Sequence, residues 1–160
     1  MQKRIILDNI RSAHNVGSIF RSSDGAGVEK IYLVGPTPTP IDRFGRAQPE
    51  IVKTSLGASE SIPWEHVGET DSESVQESIA LITQLKQEGF NIVAVEQSSK
   101  SISSYDFKIP EKVVYIVGAE VEGVHQEIID VADVVVEIPM AGVKESLNVS
   151  VTAGIILFQK

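Results

Sequence analysis

The 160-residue chain has the length and composition of one globular domain. Hydrophobic residues make up 42% and charged residues 22% of the sequence, which are ordinary values for a soluble protein, so we expect residues 1–160 to form a single domain. There is no cysteine, which excludes disulfides, thiolate metal sites and a cysteine nucleophile. No apolar stretch is long enough to span a membrane, and the N-terminus does not resemble a signal peptide. We therefore expect a cytoplasmic protein.

The net charge of −8 argues against a broad basic surface that binds nucleic acid without specificity. Basic residues are nevertheless concentrated in the first third of the chain, whereas most acidic residues lie beyond position 60. The basic residues of this first third include Arg11, Arg21, Arg43, Arg46 and Lys53. This asymmetry leaves room for local basic sites.

The first third of the chain predicts two strands around a helix. Lys3–Leu7 and Glu29–Val34 have the apolar content of strands, and Asn15–Ala26 between them has a helical pattern that ends at Gly27. The prolines at positions 36, 38 and 40 predict a loop, because each one removes a backbone donor and favours extended geometry before it.

The middle of the chain predicts one long helix between less regular elements. The signals from 42 to 64 are mixed, with a short helix near Pro49–Lys53 and a strand near Ser61–Trp64. Apolar residues then recur at helical spacing over Ser72–Glu88, with Gly89 as a stop, which predicts an amphipathic helix. Asn91–Val95 follows as a strand.

The last third predicts two buried strands and an apolar final helix. Val113–Val117 and Val134–Ile138 are rich in β-branched residues, as in strands buried on both faces of a parallel sheet, and Val124–Val131 between them is a short helix. The helix at Leu147–Phe158 is apolar on almost every side, and a sheet of this size is too small to cover it. We therefore expect a homodimer formed through the C-terminal helix region.

Strands alternate with helices throughout, which predicts an α/β fold with a mostly parallel sheet and helices on both faces. Polar residues cluster directly after three predicted strands, at 9–21, 118–123 and 138–150. Ligands of open α/β sheets bind at the carboxyl ends of strands, so these clusters are candidate parts of one site.

Two other kinds of site are poorly supported by the sequence. A dinucleotide-binding fold requires a Gly-x-Gly-x-x-Gly turn after the first strand, and no such turn is present. The glycines at 25 and 27 end a helix instead of opening one. His14, His66 and His125 lack metal-ligand spacing, so we expect no metal.

Each polar candidate also has a purely structural interpretation. Asn15 and Asn148 suit helix caps, as does Ser146, and Glu120 suits the cap of the short helix that follows it. Arg21 suits a surface ion pair. It lies nearly two helical turns after Asn15, so we expect the two side chains to project from a similar side of the helix.

Three motifs in this order resemble those of the SpoU family of RNA ribose methyltransferases, within the SPOUT superfamily. The first is Asn15-Val16-Gly17 with Arg21, and the second is the Gly-x-Glu-x-x-Gly element at 118–123. The third is Ile-Pro-Met-x-Gly at 138–142 followed by Ser-Leu-Asn-Val-Ser at 146–150. Each motif is weak alone, but the three together at these separations are highly specific, and they span nearly the whole chain.

The resemblance implies a C-terminal trefoil knot, bound S-adenosylmethionine and methylation of a ribose 2′-hydroxyl in transfer or ribosomal RNA, with the active site at a dimer interface. The catalytic candidates that it implies are Asn15, Arg21, Glu120, Ser146 and Asn148. The cofactor-binding candidates are Gly118, Ile138, Met140 and Leu147. We interpret Arg21 as a phosphate ligand that acidifies the 2′-hydroxyl, with the phosphate or His14 as proton acceptor, because a neutral guanidine is costly. The acidic charge leaves a non-catalytic RNA-binding or assembly factor as an alternative.

Overall fold

The computed structural model describes residues 1–160. Its strands are β1 (Gln2–Asp8), β2 (Val28–Val34), β3 (Trp64–Val67), β4 (Asn91–Val95), β5 (Ile102–Ser103), β6 (Lys112–Gly118) and β7 (Val134–Glu137). Its helices are α1 (Ala13–Gly25), α2 (Pro49–Ser55), α3 (Ala58–Ser61), α4 (Asp71–Gln87), α5 (Gln126–Val131) and α6 (Val149–Leu157).

The seven strands form one sheet in the order β3-β2-β1-β6-β4-β7-β5. Every neighbouring pair is parallel, so all carboxyl ends lie along one edge, which we call the carboxyl edge. β6 pairs with both β1 and β4, and it therefore brings the second polar cluster between the loops that follow its two neighbours. The predicted parallel sheet is confirmed.

Helices cover both faces of this sheet. On one face, α1 and α6 pack on the sheet through residues such as Phe20 and Leu157, both fully buried. On the other face, α4 and α5 pack through residues such as Ile82 and Ile128. Each face has its own hydrophobic core, as predicted for helices on two sides of a parallel sheet.

The strand predicted at Ser61–Trp64 is wrong in its placement. α3 occupies Ala58–Ser61, and the backbone N–H of Ile62 still bonds back to Ala58. Pro63 has no N–H and contributes only its carbonyl, which accepts from Ile31, so strand pairing begins at Trp64. Sequence reasoning also missed β5, which has only two residues and carries no periodic pattern.

The helix predicted from Val124 begins two residues later, at Gln126, because the backbone N–H groups of the two preceding residues bond to side-chain carboxylates. The N–H of Val124 donates to Glu96, and the N–H of His125 donates to Asp8. The last helix likewise begins at Val149, after Asn148 as its cap. None of the six helices has the length and apolar content needed to cross a bilayer.

The segment after β7 returns across the loops that follow β4 and β6. The side chain of Gln97 donates to the carbonyl of Glu145 at 2.5 Å, and Asn148 reaches Glu120 at 3.0 Å. The trefoil knot implied by the family resemblance stays a prediction, and these contacts are compatible with it.

Gly17 sets how closely α1 and α2 approach. A Cβ atom at Gly17 would overlap the hydroxyl of Thr54 and lie 2.9 Å from the carbonyl oxygen of Ile51. Gly154, inside α6, has ordinary space, because its nearest neighbour would be the hydroxyl of Ser22 at 3.8 Å.

We expect Gly17→Ala to lower the free energy of unfolding by about 1–3 kcal/mol, because the added methyl group forces the helices apart. Gly154→Ala is the matched control and should be neutral or slightly stabilising, since alanine is the better helix former. Urea denaturation measures both. Equal stability of the two variants would contradict the close α1–α2 packing.

Candidate functional site

Asn15 is buried in the first turn of α1, and it is not the helix cap. Ser12 is the cap, and its hydroxyl accepts from the backbone N–H of Asn15 at 3.2 Å. The cap interpretation of Asn15 is therefore wrong. With the cap supplied by Ser12, the amide of Asn15 is free to contact groups from other loops.

The side chains of Asn15, Glu120 and Asn148 meet in one hydrogen-bonded cluster. The amides of Asn15 and Asn148 both donate to Oε1 of Glu120, at 2.7 and 3.0 Å, and Asn148 also donates to Oδ1 of Asn15 at 3.2 Å. Each residue comes from a different predicted motif, so the structure brings one residue from each of the three together. Oε2 of Glu120 makes no hydrogen bond within the chain and can accept one from a ligand.

The structure also decides the three other cap interpretations. Asn148 does cap α6, because its Oδ1 accepts from the backbone N–H of Ser150 at 2.9 Å, so it acts as cap and cluster member at once. Glu120 does not cap α5, which is preceded by His125 and has no side-chain cap. Ser146 caps nothing and instead lies at the wall of a cavity.

A cavity of about 970 Å³ opens between the loops that follow β4, β6 and β7. Its volume lies at the upper end of the range typical of small-molecule sites. All four predicted cofactor-binding residues line it, together with Glu120 and Ser146: they are Gly118, Ile138, Met140 and Leu147. Two of the three polar segments, 118–123 and 138–150, therefore line one cavity at the carboxyl edge, and the first segment reaches it through the hydrogen bond from Asn15 to Glu120.

The loop after β6 is so tight that only glycine fits at its two ends. A Cβ atom at Gly118 would overlap the backbone of Gly123 and Val124. Gly123 has a φ of 69°, which favours glycine, and a Cβ there would meet the carboxylate of Glu96. The 118–123 loop thus presents backbone, without side chains at its ends, to the cavity.

Carboxylates at the ends of β1 and β4 hold this loop in place, and sequence reasoning missed them. Asp8, fully buried at the end of β1, accepts from the backbone N–H of His125 at 3.0 Å and contacts its Nδ1 at 2.9 Å. Glu96 accepts from Val124 at 3.2 Å. An acidic residue at the end of an apolar strand was the available signal for Asp8, because a buried carboxylate requires a partner.

Arg21 lies apart from the cluster. Its side chain is exposed, whereas Asn15 is buried, so the expectation that they project from a similar side is wrong. Six residues along an α-helix turn the side chain to a direction about 120° away. Arg21 instead shares a face with His14, seven residues earlier, and His14 is also exposed.

The ionisable side chains of the protein form no metal centre. No three His, Asp or Glu residues are grouped so that they could hold a metal ion. Two of the three histidines have other partners: His66 bonds to the carbonyl of Gly35 at 2.7 Å, and His125 pairs with Asp8.

Comparison with known proteins identifies the family. Residues 2–158 match the SpoU rRNA Methylase family, and the chain belongs to that family, as the three motifs predicted. It is 32% identical over 161 residues to the tRNA (guanosine(18)-2'-O)-methyltransferase of Aquifex aeolicus, covering 99% of this chain and 69% of that protein. It is also 32% identical over 155 residues to the 23S rRNA (guanosine-2'-O-)-methyltransferase RlmB of Salmonella typhimurium, covering 97% of this chain and 58% of that protein.

Solved structures agree with this fold. The TrmH/SpoU tRNA modifying enzyme of A. aeolicus superposes with a TM-score of 0.80 at 29% identity, covering 98% of this chain and 72% of that one. The AdoMet-bound rRNA methyltransferase of Sinorhizobium meliloti gives 0.81 at 28% identity, covering 98% of this chain and 54% of that one. The chain thus spans little more than half the length of several relatives.

We expect Asp8→Ala to lower the free energy of unfolding by about 1–3 kcal/mol, because the buried N–H of His125 loses its acceptor. Asp106→Ala is the control: it removes an exposed carboxylate that bonds to no other part of the chain, so it should leave the free energy of unfolding unchanged. Urea denaturation compares the two variants. An Asp8→Ala protein as stable as the Asp106→Ala control would contradict the anchoring role of Asp8.

Proposed function

We propose that this chain is an S-adenosylmethionine-dependent methyltransferase that modifies a ribose 2′-hydroxyl of transfer or ribosomal RNA. The observation that carries the proposal is the convergence of Asn15, Glu120 and Asn148 beside the cavity at the carboxyl edge. Family membership supports the same reaction, since relatives of this chain are guanosine 2′-O-methyltransferases of tRNA and of 23S rRNA.

The residues at the cavity fit the proposed cofactor. Ile138, Met140 and Leu147 offer apolar surface for an adenine ring, and the glycine at 118 lets a ligand approach the backbone closely. A related structure holds AdoMet in the same fold. The cofactor, when bound, supplies a methyl group already activated by the sulfonium.

The chain's own residues then orient and polarise the substrate. Two amide donors orient Glu120 through its Oε1, which leaves Oε2 available to accept a hydrogen bond from a donor group of the bound ligand other than the reacting 2′-hydroxyl. Ser146 lies at the wall of the cavity, and we assign to its hydroxyl a hydrogen bond to the ligand bound there. Positioning of this kind supplies a large part of the barrier reduction in such transfers.

We assign Arg21 to an RNA phosphate, where its charge makes the neighbouring 2′-hydroxyl easier to deprotonate. The proton passes to that phosphate or to His14, which lies on the same helical face. Within one chain, Arg21 makes no contact with the Glu120 cluster, so we place the complete site at a dimer interface. This arrangement is also what the family resemblance implies.

The exposed face of α6 supports a homodimer. Val151, Ile155 and Phe158 recur at intervals of four and three residues, and they are 48%, 36% and 57% exposed. The opposite face of α6 is buried on the sheet and α1. A contiguous apolar stripe beside a polar site is typical of a protein interface, and a second copy of the chain would cover it.

We further propose that residues 1–160 form one SpoU-type domain and that this domain works in the cytoplasm. The absence of cysteine is compatible with a reducing compartment, where disulfides are rare.

The net charge of −8 favours a second candidate, a non-catalytic RNA-binding or assembly factor. Calorimetry with S-adenosylmethionine discriminates between them, because a pure scaffold should take up no cofactor.

We expect Arg21→Lys to keep its affinity for S-adenosylmethionine but to lose about a hundredfold or more in methyl transfer, because lysine lacks the planar fork. Transfer of tritiated methyl groups to RNA, with calorimetry alongside, measures both quantities. Lys108→Gln, at an exposed basic position outside the site, is the control and should retain turnover. Full turnover by the Arg21→Lys enzyme would refute the role given to Arg21.

We expect Ile155→Glu to convert the dimer to a monomer, because a charge in an apolar interface is left desolvated and unpaired. Light scattering after size-exclusion chromatography reports the mass. Ile102→Glu, a similarly exposed isoleucine on β5, should remain dimeric. An unchanged dimer in the Ile155→Glu protein would show that α6 is not the interface.

A further inference from the structure

An exposed phenylalanine lies between two arginines in the connection from β2 to α2. Phe44 is 67% exposed, and the guanidinium carbons of Arg43 and Arg46 lie 4.8 and 5.0 Å from the centre of its ring. We call residues 41–47 the arginine-flanked loop. Neither core cluster includes Phe44, so the burial of apolar surface does not explain why an aromatic ring is at this position.

The loop is fixed in shape by Asp42. Its Oδ1 accepts from the backbone N–H groups of Phe44 and Arg46 at 2.8 and 2.9 Å, and its Oδ2 accepts from Nε of Arg46 at 2.8 Å. An antiparallel bridge joins Ile41 to Ala47. The hydrogen bond from the backbone N–H of Arg46 is the main reason that the pKa of Asp42 lies below its usual value. The ring is therefore presented by a pre-organised turn, which lowers the entropy cost of binding.

The two arginines are held differently. Arg46 is tied to Asp42 by an ion pair, whereas Arg43 has no carboxylate partner in the chain. Arg43 can thus leave the ring and take a phosphate while a second flat group stacks in its place. An exposed aromatic face beside an unpaired guanidinium offers the stacking surface and the positive charge with which proteins bind single-stranded nucleic acid.

The loop lies at the same carboxyl edge as the Glu120 cluster. It follows β2, which is parallel to β1, and Thr37, in the segment between β2 and the loop, accepts from the backbone N–H of Ile10 at 3.1 Å. Ile10 leads into α1, which carries Asn15. One RNA strand can therefore contact both the arginine-flanked loop and the candidate active site.

We propose that the arginine-flanked loop binds unpaired nucleotides of the RNA, with a base stacked on Phe44 and phosphates held by Arg43 and Arg46. That this RNA is the substrate rests on the function proposed above; the binding itself does not. In a chain with net charge −8, a local site of this kind supplies the attraction that the overall charge does not.

The test measures fluorescence anisotropy of the full chain, without cofactor, with a labelled single-stranded RNA of about twelve mixed nucleotides and with its duplex. We expect the single strand to bind more tightly, because a duplex keeps its bases stacked away from Phe44. Phe44→Ala should weaken single-strand binding about tenfold, and Phe44→Tyr should restore it, since tyrosine offers the same ring face. Tyr105→Ala, which removes a 74% exposed aromatic on another loop, should bind as the wild type does.

The salt dependence separates the two kinds of contact. Arg43→Gln should reduce the slope of log K against log salt by about 0.7, because one phosphate contact is lost, whereas Phe44→Ala should leave that slope unchanged. Circular dichroism establishes that the variants are folded.

Three results would overturn the inference: wild-type protein that does not bind the single strand, Phe44→Ala protein that binds it as tightly as wild type, or a Phe44→Ala protein that becomes monomeric. The last result would assign the loop to an interface between two copies of the chain. Methyl transfer is measured separately. If binding depends on Phe44 but the protein transfers no methyl group, the proposed function is contradicted and the role of the loop is supported. If the protein transfers methyl groups but binding does not depend on Phe44, the proposed function is supported and the role of the loop is contradicted.

Discussion

The carboxylate of Glu120 is the point on which the arrangement of the site depends. Its Oε1 accepts from amides that lie 105 residues before it and 28 residues after it in the chain. These bonds tie the start of α1 and the start of α6 to the loop after β6. Both donors share this one acceptor, so the positions of all three segments are coupled through one oxygen atom.

The loop that carries Glu120 is itself constrained from several directions. Glycines at 118 and 123 allow the chain to cross its own backbone, and the acids at the ends of β1 and β4 accept the N–H groups that follow. The parallel sheet makes this possible because β6 lies between β1 and β4, so acceptors from both neighbours reach the same loop. The strand order of the sheet therefore determines the position of the loop that carries Glu120.

Much of this was predictable from the sequence where the signal is local. Asn91–Val95 was predicted with the observed bounds, because a short apolar run between a helix stop and a polar turn defines its own limits. The residues that the family motifs offer as cofactor-binding candidates, Gly118 and Leu147 among them, line one cavity, and their role in binding stays a prediction. The strand after α3 was misplaced, because Pro63 shifts the start of pairing in a way that composition does not reveal.

The misjudged side chains were those whose partners are distant in sequence. The side chain of Asn15 suits a cap, but its partner Glu120 lies 105 residues away, and the partner of Asp8 lies 117 residues away. Arg21 was misplaced for a simpler reason, since its spacing from Asn15 already turns it to another face. The exposed ring of Phe44 carried no sequence signal, because its significance comes from the turn that Asp42 fixes and from the two guanidinium groups beside it.

We infer that the three converging loops hold a methyl donor beside a ribose hydroxyl. The decisive measurement is mass spectrometry of nucleosides from transfer and ribosomal RNA that has been incubated with the purified protein and S-adenosylmethionine. We expect a nucleoside whose added methyl group lies on the ribose, formed only when protein and donor are both present. A methyl group found on a base, or no new nucleoside in either class of RNA from cells lacking the protein, would contradict it.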